Sequence, residues 1–236
     1  MTDWRQAALD ELSAKMPRVR AVDKLLNDAL VDREADLDAA LEASRSAGLP
    51  EYEVSPLEGK LLYILARALG ARRILEVGTL GGYSTLWLAK ALPPDGELVT
   101  LELHQQRADV ATQNLELAGF ADRVTVLVGP ATESLTELRR TRHREFDLAF
   151  IDADKDNDVN YVQACMELCR PGALIVVDNM IRFGNVLDPG ATPDPGAPGT
   201  RKLIDYLATE RRLDATALQT VSPRGWDGPA LLLVGE

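Results

Sequence analysis

The sequence predicts an α/β chain organised around a parallel, doubly wound sheet, on three observations. From Arg73 onward, short apolar runs alternate with stretches of helical length. One of those runs, Ala173 to Val177, reads Ala-Leu-Ile-Val-Val and is apolar throughout, as a strand covered on both faces should be. The length, 236 residues, suits one such unit with additions rather than two independent ones.

The elements follow in order. Leu9, Leu12 and Met16, then Leu25, Leu26, Ala29, Leu30, Leu37 and Leu41, recur near helical spacing, interrupted by Pro17 and ended by Gly48-Leu49-Pro50. Residues 1–50 are therefore expected to form a helical extension and residues 51–236 the core. A further helix is expected from Leu57 to Leu69, stopped by Gly70. Strands are predicted at Arg73–Val77, Glu97–Leu103, Val124–Val128, Phe146–Ile151 and Ala173–Val177. The helices between them are predicted at Ser84–Ala91, Gln105–Ala118, Thr132–Arg140 and Val159–Arg170. Asp188 to Gly199 holds four prolines and three glycines and reads as a long uncovered loop. A helix at Thr200–Thr209 and strands at Ala215–Val221 and Ala230–Val234 complete the pattern.

Composition removes several function classes. The chain carries 26 Lys and Arg against 37 Asp and Glu, a net charge of -11, so no global basic footprint for nucleic acid exists. No apolar run approaches the roughly 20 residues of a membrane span, and Met1-Thr2-Asp3-Trp4-Arg5 does not open a signal peptide. A cytoplasmic protein is expected. The two cysteines, Cys165 and Cys169, stand four apart in a helix-like stretch and read as reduced, half-buried packing residues. The two histidines, His104 and His143, are too few for a His/Cys zinc site, and no GxSxG elbow supports a serine hydrolase.

Ligands of open parallel sheets bind beyond the carboxyl ends of the strands. The first such end reads Glu76-Val77-Gly78-Thr79-Leu80-Gly81-Gly82-Tyr83-Ser84. Its glycines allow a tight turn and close approach to a ligand, and Ser84 could cap the next helix or bind a ligand group. An ordinary strand-to-helix turn uses the same residues. Glu102, at the second end, suits a pair of ribose hydroxyls, a need shared by NAD and S-adenosylmethionine (SAM). The dinucleotide pattern GxGxxG would require glycine where Leu80 stands, and Glu76 sits badly beside a pyrophosphate. A cationic sulfonium ligand tolerates that acid, so SAM is favoured. Gly129-Pro130-Ala131-Thr132 leaves room for an adenine ring, or is a plain turn and cap.

The fourth predicted strand ends in Phe150-Ile151-Asp152-Ala153-Asp154-Lys155 and the fifth in Val177-Asp178-Asn179. If these strands are neighbours, about 4.8 Å apart, Asp152 and Asp178 converge at one rim. Carboxylates so close repel unless a proton or cation lies between them. With the Asn179 amide oxygen they form a hard, all-oxygen set suited to Mg²⁺, Mn²⁺ or Ca²⁺, or they cap the following helices. Lys155 could help remove or stabilise a substrate hydroxyl proton at the metal's edge, or be a solvated lysine. Asp154 could meet the cofactor's charged end or act as a cap.

Together these motifs resemble the cation-dependent O-methyltransferases, the group that contains caffeoyl-CoA and catechol O-methyltransferases. The similarity runs from about Val54 to Asn179. It implies a class I SAM-dependent methyltransferase fold, Rossmann-like, with a seven-stranded sheet whose last strand is antiparallel. By that resemblance Val54, Glu76, Gly78, Thr79, Ser84, Glu102 and Ala131 contact SAM with Asp154 nearby. Asp152, Asp178 and Asn179 hold a divalent cation, magnesium first, and Lys155 is the base or its electrostatic helper. A homodimer is implied too, with the N-terminal helices as candidates for the contact. The expected chemistry is transfer of methyl to one hydroxyl of a vicinal diol on an aromatic ring.

Arg182 and Phe183 fall where plant-type members are expected to have tryptophan and asparagine, and Asp158 replaces a common aromatic residue. These departures lie on the acceptor side. They point away from caffeoyl-CoA and toward a smaller catechol-like phenol, flavonoid or bacterial metabolite. Competing readings are an NAD oxidoreductase, a binding module without catalysis, and a metal-independent methyltransferase acting on nitrogen or protein.

Overall fold

Capping chemistry sets the helix that leads into the sheet. Ser55 accepts from the Glu58 amide at 3.3 Å while the Glu58 carboxylate accepts from the Ser55 amide at 2.7 Å, a reciprocal capping box. Pro56 fills the first turn, and Gly70, at φ +60°, ends the helix in the left-handed conformation. The computed structural model describes residues 17–141 and 145–235. Leu9, Leu12, Met16 and His143 lie outside them.

The chain runs α1 (Pro17–Leu30), α2 (Ala35–Ser46), α3 (Pro56–Leu69), β1 (Arg73–Val77), α4 (Tyr83–Ala91), β2 (Glu97–Glu102), α5 (Gln105–Leu117), β3 (Val124–Val128), α6 (Ala131–Thr141) and β4 (Phe146–Ile151). A single 3₁₀ turn, Lys155–Asn157, leads into α7 (Asp158–Leu168) and β5 (Cys169–Val177). A kinked 3₁₀ segment, Arg182–Leu187, precedes α8 (Ala197–Leu207), β6 (Leu213–Ala217), β7 (Thr220–Ser222), β8 (Gly225–Asp227) and β9 (Ala230–Val234).

Seven strands form one sheet in the order β3-β2-β1-β4-β5-β9-β6. All neighbours pair in parallel except β9, which runs against both β5 and β6. The strand order reverses between β1 and β4, so their carboxyl ends border the crevice where such sheets bind ligands. Alternation along each strand feeds two cores. Leu75, Val77, Val99 and Leu101 pack with Leu135, Val162 and Leu168 on one face. Ile74 and Leu98 pack with Leu62, Leu86 and Trp87 on the other.

Several sequence expectations are corrected. Pro17 is the first described residue and opens α1, where the first turn needs no amide donor. Leu25, Leu26 and Leu30 of α1 are exposed. Cys169 opens β5 instead of continuing a helix, and both cysteines are fully buried. The expected loop shortens to 188–196: Pro198 is accommodated in the first turn of α8, and Asp194 is buried against Arg182. The strand expected at 215–221 divides, because Thr220–Ser222 turns out of the main sheet to pair with Gly225–Asp227.

Candidate functional site

Period-two alternation puts Glu76 and its register partner Thr100 on the same face of β1 and β2. Both are fully buried. The Glu76 carboxylate accepts from Ser84 at 2.7 Å, Thr85 at 2.5 Å and Thr100 at 2.7 Å. Burial pushes its pKa up to about 7; the three hydroxyls oppose that shift and Asp152 adds to it. Ser84 thus serves Glu76 and caps nothing; Gly82 occupies the N-cap of α4. Thr79 is buried, its hydroxyl 2.6 Å from that of Thr100. Gly78 has φ +102°, and a Cβ there would stand 2.1 Å from the Asp152 carbonyl oxygen, so only glycine lets β1 and β4 close at this end.

Glu102 is 4% exposed at the end of β2. Each of its oxygens takes one backbone amide, Leu80 at 2.9 Å and His104 at 2.9 Å, and Arg107 lies 3.9 Å away. A carboxylate has about four acceptor positions, so the two amides fix its orientation and leave capacity for a pair of hydroxyls. Leu80 adopts φ +50° to make its contact. Beside Glu102 opens a hollow of about 490 Å³ lined by Leu103, His104, Arg107 and the Gly48–Pro50 turn. Leu103 is apolar yet exposed there.

At the other end, β4 and β5 are neighbours with Ile151 opposite Val177, and the Asp178 amide donates to the Ile151 carbonyl at 3.0 Å. Asp152 and Asp178 therefore sit side by side, as the sequence expected. Lys155 lies between them, donating to Asp152 Oδ1 at 3.2 Å and to the Asp178 carbonyl oxygen at 3.2 Å. Burial drives the Asp178 pKa well above the ordinary range, and Asp152 and Glu58 push it the same way while Lys155 opposes. Burial works against the Lys155 charge, but Asp152, Asp158 and Asp178 outweigh it and hold the ammonium's pKa above its usual value. Asn179 follows in a left-handed conformation, φ +62°, its amide donating to Asp178 Oδ1 at 2.7 Å.

The described residues contain no cluster of three His, Cys, Asp or Glu able to hold a metal. Two crowded carboxylates plus one amide oxygen remain a hard donor set, and their negative charge, offset only in part by Lys155, fits a divalent cation. Asp154 is placed otherwise than a free ligand: Tyr161 donates to one of its oxygens at 2.5 Å and Asn157 to the other at 2.6 Å. Val54 is buried immediately before Ser55, and Ala131 begins α6 against the core.

Sequence reasoning passed over Thr85, Thr100, Asn114 and Glu58. Thr100 was detectable as a hydroxyl inside the apolar run Leu98-Val99-Thr100-Leu101, at the position opposite Glu76. Asn114 is buried on α5 and donates to the Gly81 carbonyl at 2.8 Å and the Ala40 carbonyl at 3.4 Å, tying α2 to the glycine turn. Nothing local in the sequence signals that link.

A family model described as O-methyltransferase matches residues 31–221. Over 220 residues the chain is 49% identical to a catechol O-methyltransferase of Mycobacterium tuberculosis, covering 93% of this chain and 98% of that one. An O-methyltransferase from Bacillus cereus, solved in complex with SAH, superposes with a TM-score of 0.88 at 42% identity, covering 93% and 99% of the two chains. One from Streptomyces achromogenes, involved in tomaymycin synthesis and solved with SAM, gives 0.89 at 43% identity, covering 94% and 99%.

Proposed function

The chain belongs to the O-methyltransferase family, and from that premise we propose that it transfers methyl, with the aid of a divalent cation, to one hydroxyl of a catechol-like phenol. It is a SAM-dependent enzyme with the class I methyltransferase fold. The observation that carries the cation and the acceptor is the pair Asp152 and Asp178 at adjacent strand ends with Lys155 bridging them.

Asp152, Asp178 and Asn179 would hold the ion, with Mg²⁺ the first choice and Mn²⁺ or Ca²⁺ compatible with the same oxygens. Such a cation supplies Lewis acidity, making an aromatic hydroxyl easier to ionise. Lys155, kept charged by its acidic surroundings, acts as an electrostatic helper and stabilises the phenolate oxygen as it forms. Glu102, already oriented by two amides, receives the ribose hydroxyls of SAM. Gly78 and Thr79 shape the turn beside it, Glu76 and Ser84 brace that turn from below, and Val54 and Ala131 border the cofactor. Asp154 contributes by anchoring Tyr161 and the 3₁₀ turn. Much of the acceleration then comes from holding acceptor oxygen and methyl carbon in line.

Labelled SAM offered with a panel of phenolic acceptors, with and without EDTA, tests the reading. Methylation of vicinal diols that disappears with EDTA and returns with Mg²⁺ supports it. EDTA-resistant activity contradicts the cation, and methylation confined to nitrogen or protein acceptors contradicts the substrate.

A homodimer belongs to the same proposal. Val22, Leu25, Leu26 and Leu30 form a helically spaced, exposed apolar stripe on α1, a helix with no buried residue. Light scattering should show a dimer that Leu25→Glu dissociates; an unchanged mass would reject this contact.

A further inference from the structure

Asp158 opens α7 with no exposed surface, and neither carboxylate oxygen has a hydrogen-bond partner among the described residues. A buried acid left in this state is costly, which makes its presence beside the rim informative. Its amide closes the single 3₁₀ turn onto the Lys155 carbonyl. In that geometry side chains three residues apart eclipse, so Lys155 and Asp158 stand on the same side of the turn.

The surroundings seal the pair. A Cβ on Gly199 would lie 2.2 Å from the Lys155 carbonyl oxygen and 2.8 Å from the Asp156 amide, so α8 presses directly on this turn. Thr200, the next residue, is fully buried, and its hydroxyl has no partner among the described residues. The other nearby cation, Arg182, is committed to Asp194 through contacts of 2.8 Å and 2.5 Å. The charged groups that Asp158 faces are Lys155, Asp152, Asp154 and Arg182. An ammonium has three donors. Lys155 directs two of them at the Asp152 carboxylate and the Asp178 backbone carbonyl, and the first of these is an oxygen assigned above to the cation.

We propose that Asp158 is a positioning residue for methyl transfer, a sealed counter-charge that keeps the Lys155 ammonium in place once the Asp152 carboxylate is engaged with the ion. The inference rests on the role given to Lys155. Asp158 touches neither acceptor nor cofactor; it acts through the lysine. The cost of burying it is then a cost in stability retained for activity.

The test compares Asp158→Asn, Lys155→Met and the double variant, with catechol as acceptor. Asp158→Asn is expected to lower kcat by at least about tenfold while KM for catechol and affinity for SAH stay within about twofold. The melting temperature of the metal-free variant should equal or exceed that of the parent, because a buried carboxyl without hydrogen-bond partners has been removed. In the Lys155→Met background the same change should cost nothing further. Asp158→Ser repeats the comparison if the asparagine variant does not fold. Unchanged kcat in Asp158→Asn beside an impaired Lys155→Met overturns the inference alone. So does an equal loss in both backgrounds, or a lowered melting temperature. Full activity in Lys155→Met removes the role of the lysine and this inference with it.

Discussion

The two ends of the candidate site each place two acids at strand termini and treat them in opposite ways. At the β1–β2 end, Glu76 is met by three hydroxyls and Glu102 by two backbone amides, so every acidic oxygen has a protein donor. At the β4–β5 end, Asp178 faces Asp152 and Glu58, with Lys155 as its opposing charge. Acids surrounded by donors are pre-oriented to accept from neutral hydroxyls. Acids surrounded by acids call for a cation. On the proposed reading, the same residue chemistry would serve two ligands because the neighbours differ.

Removing an acid at the crowded end should have the largest effect. Asp178→Ala is expected to lower kcat by about 10³-fold, the scale of several kcal/mol of lost charge stabilisation, while SAH affinity measured by calorimetry stays unchanged. Next comes the buried Arg182–Asp194 ion pair, which holds residues 182–196. Asp194→Ala removes the carboxylate paired with the buried Arg182 guanidinium and should cost about 3–5 kcal/mol in urea denaturation. Equal stability would show that the pair is not the anchor of residues 182–196.

At the donor-rich end the effect is on pH dependence. Glu76 titrates near 7 when folded against 4.5 ordinarily. Between those values the folded protein keeps a proton that the unfolded chain has released. Its stabilising contribution is therefore complete below pH 4.5 and is lost as pH rises through 7. Glu76→Gln should flatten that decline by an amount on the order of 3 kcal/mol, read from urea denaturation at pH 5 and pH 8. A slope unchanged by the substitution would contradict the account. The smallest expected effect is at Glu102. Its replacement by Ala should weaken SAH binding roughly 10- to 100-fold while the cation requirement persists, which separates the two ends cleanly.

The parts of this architecture written in local pattern were legible in the sequence. Strand runs such as Phe146–Ile151 and the acids closing them depend on neighbours a few residues away, and Asp152 and Asp178 meet because β4 and β5 pair. What escaped depends on partners far along the chain. Thr100 reaches Glu76 across 24 residues, and Asn114 reaches Ala40 across 74. Pro198 was read as loop because proline disfavours helix interiors, yet a first helical turn accepts it. Thr220–Ser222 has strand composition but pairs with Gly225–Asp227 in its own hairpin, outside the seven-stranded sheet. Asp158 gave a departure in residue type; its lack of partners is visible only in three dimensions.

Binding of Mn²⁺, followed by loss of the free-ion electron paramagnetic resonance signal, tests the central claim most directly. The parent protein should take up one ion per chain and the Asp178→Ala variant none at the same concentrations. Equal uptake by the two proteins, or none by the parent, would contradict the account.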